Sequence, residues 1–238
     1  MDNEHIVTAF DDDLNNLQNK IVEMGGLVEK QLLDSIDALL KFDLDAAKEV
    51  VLHDNHIDNL ELEIDEAIVR LLALRSPVAA DLRSIISCTK ISCNLERIGD
   101  YSKNISKRTL ALSDTGNLPL MGSGPLKTVS KMAEIVQSMI KNVLDAYIEK
   151  DATKADDVRA KDEDVDHIHS GLYRELLTYM LEDPKNITLC THLLFVSKNV
   201  ERMGDHVTSI AEHVHFMVHG KIPEESRIKR DNSSSAYV

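Results

Sequence analysis

The chain has 238 residues, enough to bury a sizeable core without disulfides or a structural metal. Its 41 acidic and 27 basic side chains give a formal charge of -14, the wrong sign for gripping a phosphate backbone, so nucleic acid is excluded as a partner. Only 4% of the residues are aromatic, and nine Gly and five Pro leave few breakers, a balance that favours helix over sheet.

Six long helices are predicted in chain order, near residues 8–41, 45–74, 79–112, 124–149, 152–181 and 186–219. The first carries Leu17, Ile21, Met24, Val28, Leu32, Ile36 and Leu39 on one face, and the fourth carries Val129, Met132, Val136, Ile140, Leu144 and Tyr147. Both runs keep the spacing of three and four that marks an amphipathic helix. Phe42–Asp45 and Glu149–Asp151 are polar turns; Arg75-Ser76-Pro77 and Asp183-Pro184 are proline turns, because proline disfavours helix at the residue before it. Ser113–Pro125, with three Gly and two Pro, reads as the linker, and the polar, Ser-rich Glu224–Val238 reads as a disordered tail. Met1–Asp13 lacks the apolar core of a signal peptide, and no stretch approaches ~18 uninterrupted apolar residues. A soluble, cytoplasmic protein is expected, reaching a membrane only through partners. Cys88, Cys93 and Cys190 are scattered and read as buried small hydrophobes of a reducing compartment.

The chain is internally duplicated. A shift of 108 carries Met24 onto Met132, Val28 onto Val136, Leu32 onto Ile140 and Ile36 onto Leu144, and also Asp54, Ile57 and Asp58 onto Asp162, Val165 and Asp166. A shift of 105 carries Leu95-Glu96-Arg97-Ile98-Gly99-Asp100 onto Val200-Glu201-Arg202-Met203-Gly204-Asp205. The expected fold is all-α, two tandem three-helix bundles over residues 1–115 and 116–222, with 223–238 as the tail.

Acid-x-x-x-Asp occurs five times, about as often as this composition alone would give, so position carries the argument. Asp54/Asp58 and Glu96/Asp100 fall on the second and third helices; Asp162/Asp166 and Glu201/Asp205 fall at the equivalent points of the repeat. Folded about Pro77, Asp58 and Glu96 each stand 19 residues from the turn, and Asp54 and Asp100 each 23. Folded about Pro184, Asp166 and Glu201 stand 18 and 17 away, Asp162 and Asp205 22 and 21. Each hairpin thus brings four carboxylates to one height, where they repel unless something positive offsets them. A divalent cation or small cluster would do so with oxygen ligands at about 2.0–2.5 Å. Both motifs of the third and sixth helices lie one step round from an apolar stripe, Ile91, Leu95, Ile98 and Ile105 or Val200, Met203, Val207 and Ile210, so a partly exposed groove is expected. Pairing with Arg97, Arg202 and nearby lysines is the plainer reading of any single pair. Mid-helix Gly99 and Gly204 fit either a close helix approach or room for an ion. His167, His169 and His206 lie near the second site; they read as surface residues, with His206 able to add one nitrogen ligand. A lone Glu212-x-x-His215 falls short of a ferritin-like di-iron set, and no nucleophile elbow, phosphate loop or His-Glu-x-x-His motif is present.

Those two six-residue runs resemble the twin signature of the PhoU family. Met24-Gly25-Gly26-Leu27-Val28-Glu29 looks like its first-helix motif, and Arg75-Ser76-Pro77-Val78-Ala79-Ala80-Asp81-Leu82-Arg83 and Thr178-Tyr179-Met180-Leu181-Glu182-Asp183-Pro184 look like its hairpin turns. The likeness runs from about residue 8 to 222, except that the second repeat reads Pro184-Lys185-Asn186-Ile187 where the first has Asp81-Leu82-Arg83. The resemblance implies a non-catalytic regulator of phosphate uptake that represses the phosphate-starvation response when phosphate is plentiful. It implies the phosphate ABC transporter's ATPase subunit and a sensor histidine kinase as partners. It also implies divalent metal ions, as multinuclear iron in some members, on Asp54, Asp58, Glu96, Asp100, Asp162, Asp166, Glu201 and Asp205; oxygen ligands leave zinc, manganese and magnesium open. A homodimer is expected from exposed apolar shoulders. The alternatives are a metal-dependent enzyme, which would need a substrate-sized groove with an open coordination position, and a metal store, which would bind many ions weakly.

Overall fold

The structure is a computed structural model that describes residues 2–113 and 124–223, with side chains from residue 10 onward. Six helices follow one another: α1 (Asp2–Lys41), α2 (Leu44–Arg75), α3 (Ala79–Leu112), α4 (Gly124–Glu149), α5 (Ala152–Glu182) and α6 (Ile187–His219). A short 3-10 turn, Pro184–Asn186, leads into α6, and no strand occurs among the described residues. The all-α architecture of two three-helix repeats is therefore the observed one. α1 starts six residues earlier than the periodicity placed it, and Gly124 and Pro125 open α4 instead of closing the linker. Proline is tolerated there because the first-turn N–H has no intrahelical partner to lose. The boundary placed at 115 and 116, most of the linker and the tail from 224 onward lie outside the described residues.

The two repeats turn their first corner the same way. Asp43 accepts hydrogen bonds from the Asp45 and Ala46 amides at 3.1 and 3.0 Å, and Asp151 accepts from Thr153 and Lys154 at 2.9 and 3.1 Å. Each aspartate closes the orphan donors of the helix that follows, α2 or α5. The residue before each cap, Phe42 or Lys150, takes a left-handed φ of 54° or 53°. The second corners differ. Ser76 and Ala79 both sit at φ 47° in the first, where Val78 offers no side-chain cap. In the second, Asp183 accepts from the Lys185 amide at 3.0 Å ahead of Pro184.

The apolar stripes of α1 and α4 are all buried, and their residues join those of α3, α5 and α6 in one continuous core. Each such Leu, Ile or Val contributes about 1.5–3 kcal/mol. α3 and α6 pack side by side, as do α1 and α4, while α2 and α5 lie outermost. The packing obeys the internal repeat. Glu29 accepts from Gln137, its own counterpart, at 2.9 Å, and the rings of Tyr101 and its counterpart His206 lie 5.6 Å apart. Arg108 sits over the Phe195 ring at 4.0 Å, and at the equivalent pair burial disfavours the His213 imidazolium, with the charge of Lys90 adding to it. A pseudo-twofold axis therefore runs between α3 and α6, leaving the two acid-bearing hairpins on opposite sides of it.

Candidate metal centres

In the first hairpin α2 presents Asp54 and Asp58 and α3 presents Glu96 and Asp100. Asp54 is buried, 2% exposed, while the other three are partly buried. Asp54, Glu96 and Asp100 are met by Arg97 and a nearby lysine, as the plainer reading had it, and by Gln31, which the spacing did not single out. Gln31 of α1 donates to Asp54 Oδ1 at 2.8 Å and, from the same nitrogen, to the Gly99 carbonyl at 3.1 Å. Lys103 Nζ donates to Asp54 Oδ2 and to Asp100 Oδ1, the latter at 2.8 Å. Arg97 lies 3.3 Å from both Glu96 Oε2 and Asp100 Oδ2. Asp54 and Asp100, level by their distance from Pro77, are thus joined through one ammonium.

The electrostatics follow from this crowding. Burial, then the Asp100 charge, lifts the Glu96 carboxyl to about 7, with Arg97 pulling the other way. Burial also raises Asp58, with Asp54 adding to it, and Glu61, with Asp65 adding to it. Glu61 feels Asp58 and Asp100 and acts on Glu96, so it is a fifth acid of this cluster. Burial alone would lower the Lys103 ammonium, but its bonds to Asp100 and Asp54 outweigh that and hold it protonated.

The second hairpin presents the same four positions in a drier setting. Asp162, Asp166 and Glu201 are 1%, 3% and 5% exposed, and only Asp205 remains partly open. The partly exposed groove expected at both sites describes the first alone. The positions that hold Asp54 are changed: Gln31 becomes Met139, and Lys103 becomes Thr208, whose hydroxyl turns back to the Asp205 carbonyl at 2.8 Å. A different cation, Lys198, reaches Glu201 Oε1 at 2.9 Å from a half-open position where the first repeat has Cys93. Glu201 Oε2 is buried with no hydrogen-bond partner. Burial raises this carboxyl; Lys198 opposes the rise, and Asp205 and Asp166 reinforce it.

The glycines are explained by close approach. A Cβ on Gly99 would stand 3.0 Å from Ile57 Cδ1 and 3.6 Å from Asp54 Oδ1, and one on Gly204 would stand 2.5 Å from Asp162 Oδ1. The third helix of each repeat therefore leaves a notch into which the buried aspartate of the second helix fits.

Among the described residues no three His, Cys, Asp or Glu side chains converge tightly enough to hold an ion. The first quartet does not fit one as it stands, because an ammonium and a guanidinium take its oxygens. The second has oxygen donors of the right chemistry, the buried Asp162, Asp166 and Glu201 and the half-buried Asp205, and Glu201 Oε2, like Glu96 Oε2 in the first, is buried without a hydrogen bond. His169, read as a surface residue, is 4% exposed and replaces Glu61; His167 is exposed. His206 is half-buried, with Nδ1 2.8 Å from Asn94 Oδ1 across the pseudo-twofold axis, and burial keeps its imidazolium disfavoured, with Asp205 opposing. Cys88 and Cys190 are buried as expected, but Cys93 is exposed because it falls on the outer face of α3, two residues before the buried Leu95. The lysine that matters was visible as a mismatch between repeats, Lys103 against Thr208, inside otherwise similar helices.

No helix among the described residues is long and apolar enough to cross a membrane. A PhoU domain family model matches residues 21–109 and again 129–214, one copy on each three-helix repeat. A Rhizobium meliloti protein named phosphate-specific transport system accessory protein PhoU homolog is 43% identical over 99% of this chain and 98% of its own length. A Zymomonas mobilis protein of the same name is 44% identical over 94% of this chain and 93% of its own. The crystal structure of PhoU from Pseudomonas aeruginosa superposes with a TM-score of 0.83 at 38% identity, covering 89% of this chain and all of that one. The phosphate transport system regulatory protein PhoU from Streptococcus pneumoniae does so with 0.82 at 27%, covering 91% and 100%. With both repeats matched and near-complete relatives above 40% identity, this chain belongs to the PhoU family.

Proposed function

We propose that this protein is a cytoplasmic accessory regulator of phosphate uptake that works by docking and not by turnover. It links the ATPase subunit of a phosphate ABC transporter to a sensor histidine kinase and represses the phosphate-starvation response when phosphate is plentiful. The observation that carries this reading is likeness over nearly the whole chain to proteins named as accessory to phosphate-specific transport. The shape supports it: long, rigid helices offer continuous faces to partners. Apolar side chains stand exposed at both hairpin tips, Leu74 and Val78 on the first and Leu181 and Ile187 on the second, and one such face pairs the chain with a second copy as a homodimer.

Divalent metal belongs to this reading at the second quartet. Asp162, Asp166, Glu201 and Asp205 would supply the oxygens, and an ion there would offset the repulsion that burial intensifies. Iron, manganese, zinc and magnesium all accept such ligands. The test is a pull-down with purified ATPase subunit and kinase cytoplasmic domain, using the full chain with and without added metal. Retention of both is expected. Retention of neither, from either metal state, would overturn the adaptor role.

A further inference from the structure

We propose that His215 and His219, in the last turns of α6, form a nitrogen chelate for Zn2+ or a like borderline divalent cation, separate from the carboxylate quartets and independent of the function proposed above. The bound ion would staple the end of α6 to the residues that follow it.

His215 and His219 stand four residues apart, so both rings fall on one face of the helix, the spacing with which two helical histidines hold zinc. Their ring centroids are 4.6 Å apart, with the planes tilted by 55°. An imidazole nitrogen sits about 2.0–2.1 Å from zinc and its ring centroid about 3.2 Å, so at angles from square to tetrahedral two centroids stand about 4.5–5.2 Å apart. The observed separation lies inside that range. A second exposed pair supplies the contrast: His53 and His56 on α2, three residues apart, hold their centroids 5.7 Å apart, too wide for one ion at those angles. The tautomer is also set. His215 Nδ1 lies 3.0 Å from the Lys221 carbonyl oxygen. A carbonyl only accepts, so Nδ1 carries the proton and Nε2 holds the lone pair a metal needs. A hydrogen bond of this kind orients a ligating imidazole and makes its other nitrogen more basic. Gly220 brings that carbonyl back to the ring: it ends α6 at a left-handed φ of 74°, and its amide donates to the Phe216 carbonyl at 2.8 Å. The pair lies where the helix dipole favours a cation, and imidazole donors favour zinc, copper and nickel over magnesium and manganese. Glu212 precedes His215 by three residues but lies 3.8 Å from Arg159, and no third protein ligand converges among the described residues, so water completes the shell. Arg83 stands beside Gly220, its Nε 3.6 Å from where a Cβ would lie, and its charge keeps the chelate weak and exchangeable.

The experiment titrates the untagged full chain, stripped with chelator, with Zn2+ while the histidine ring protons are followed by NMR. The signals of His215 and His219 are expected to move together, at about tenfold lower Zn2+ than those of His53 and His56, because the second imidazole binds intramolecularly. Amide exchange at Gly220 and Lys221 should slow as the ion ties down the helix end. Calorimetry counts the ions. His219→Gln, at an exposed position, is expected to remove one ion and to leave His215 unmoved by Zn2+, whereas His56→Gln removes none. Glu201→Gln touches only the carboxylate site and should leave the His215 response intact, so the two metal assignments fail separately. Signals of His215 and His219 that stay still while Zn2+ rises would overturn the proposal, and this measurement needs no variant to fold. So would a His215 response that survives His219→Gln, or one shared by His53 and His56 at the same Zn2+ concentration, the mark of indiscriminate binding by exposed imidazoles.

Discussion

The two carboxylate quartets stand at equivalent points of equivalent hairpins, yet they solve the same electrostatic problem in opposite ways. The first lets water and basic side chains in: Lys103 and Arg97 occupy the oxygens, and only Asp54 is fully buried. The second shuts water out around Asp162, Asp166 and Glu201, with Lys198 at one edge. Duplication preserved what geometry demands, the notch at Gly99 and Gly204 and the stripe beneath the acids. It kept the arginine, Arg97 and Arg202, but not the lysine, because any cation of suitable reach satisfies the need for counter-charge.

The sharpest way to break the comparison is to remove the tethered charge. Lys103→Met leaves Asp54 buried opposite Asp100 with its neutralising partner gone, a loss of about 3 kcal/mol in metal-free urea unfolding. The mirror substitution, Thr208→Val, removes one intrahelical hydroxyl bond and should cost about 1 kcal/mol or less. Equal losses would mean that Lys103 holds nothing Thr208 does not.

Next come the notches. Alanine at either glycine gains roughly 1 kcal/mol of helix propensity. At Gly204 the new methyl meets Asp162 Oδ1 at 2.5 Å, so a buried carboxylate must turn, and a net loss of about 2 kcal/mol is expected. At Gly99 the nearest atom is the end of Ile57 at 3.0 Å, which yields by a few tenths of an ångström, and the net change should stay within about 1 kcal/mol. Urea midpoints of the two variants decide it. A neutral Gly204→Ala would show that Asp162 has room to rotate and that close approach does not explain the glycine.

Much of this frame was readable beforehand, and the reasons are physical. The α1 stripe from Leu17 to Leu39 announces itself by period, and each of its seven residues is buried. Turns at Asp43 and Asp151 were legible because capping is local chemistry. The acids could be placed by counting from Pro77 and Pro184, since an antiparallel hairpin of straight helices keeps height. What counting could not supply was the neighbourhood. Gln31 reaches Asp54 from a third helix 23 positions away, and whether Lys103 folds back over the hairpin or into solvent is a rotamer choice invisible to periodicity. The dryness of the second site was equally hidden, because burial of Asp166 depends on α5 and α6 closing together and on no local pattern.

Titration sharpens the comparison at a smaller scale. With metal chelated, Glu96 holds its proton up to about pH 7 in the folded chain, whereas the unfolded chain releases it near the ordinary glutamate value of 4.5. Between those limits the folded state binds more protons, so stability falls as pH rises through that window. Because Glu96 is still open to water on one side, the whole effect is about 1 kcal/mol, or ~3 °C in Tm. Glu96→Gln should remove it, so that the variant gains on the parent from pH 5 to pH 8 in calorimetric scans. Glu201→Gln should move the same way, since burial raises that carboxyl too, while Lys198 trims the effect. A parent Tm that rises steadily across this range, with Glu96→Gln parallel to it, would contradict the assignment.

The smallest expected effect tests whether the comparison is fair at all. Asp43 and Asp151 each hold two amides of the following helix at 2.9–3.1 Å, and each follows a residue with left-handed φ. Alanine at either should cost about 0.5–1 kcal/mol, and the two costs should agree within a few tenths. Agreement would mean that α2 and α5 are launched with equal strength, so that a difference between the hairpins has to arise further along them, at the quartets. Disagreement would relocate the asymmetry to the frame. Lys103→Met and Thr208→Val would then report unequal helices as well as unequal counter-charges. Asp183→Ala supplies the reference for a real frame difference: it caps the turn into α6, Val78 provides no such bond for α3, and its loss should therefore weaken only the second hairpin.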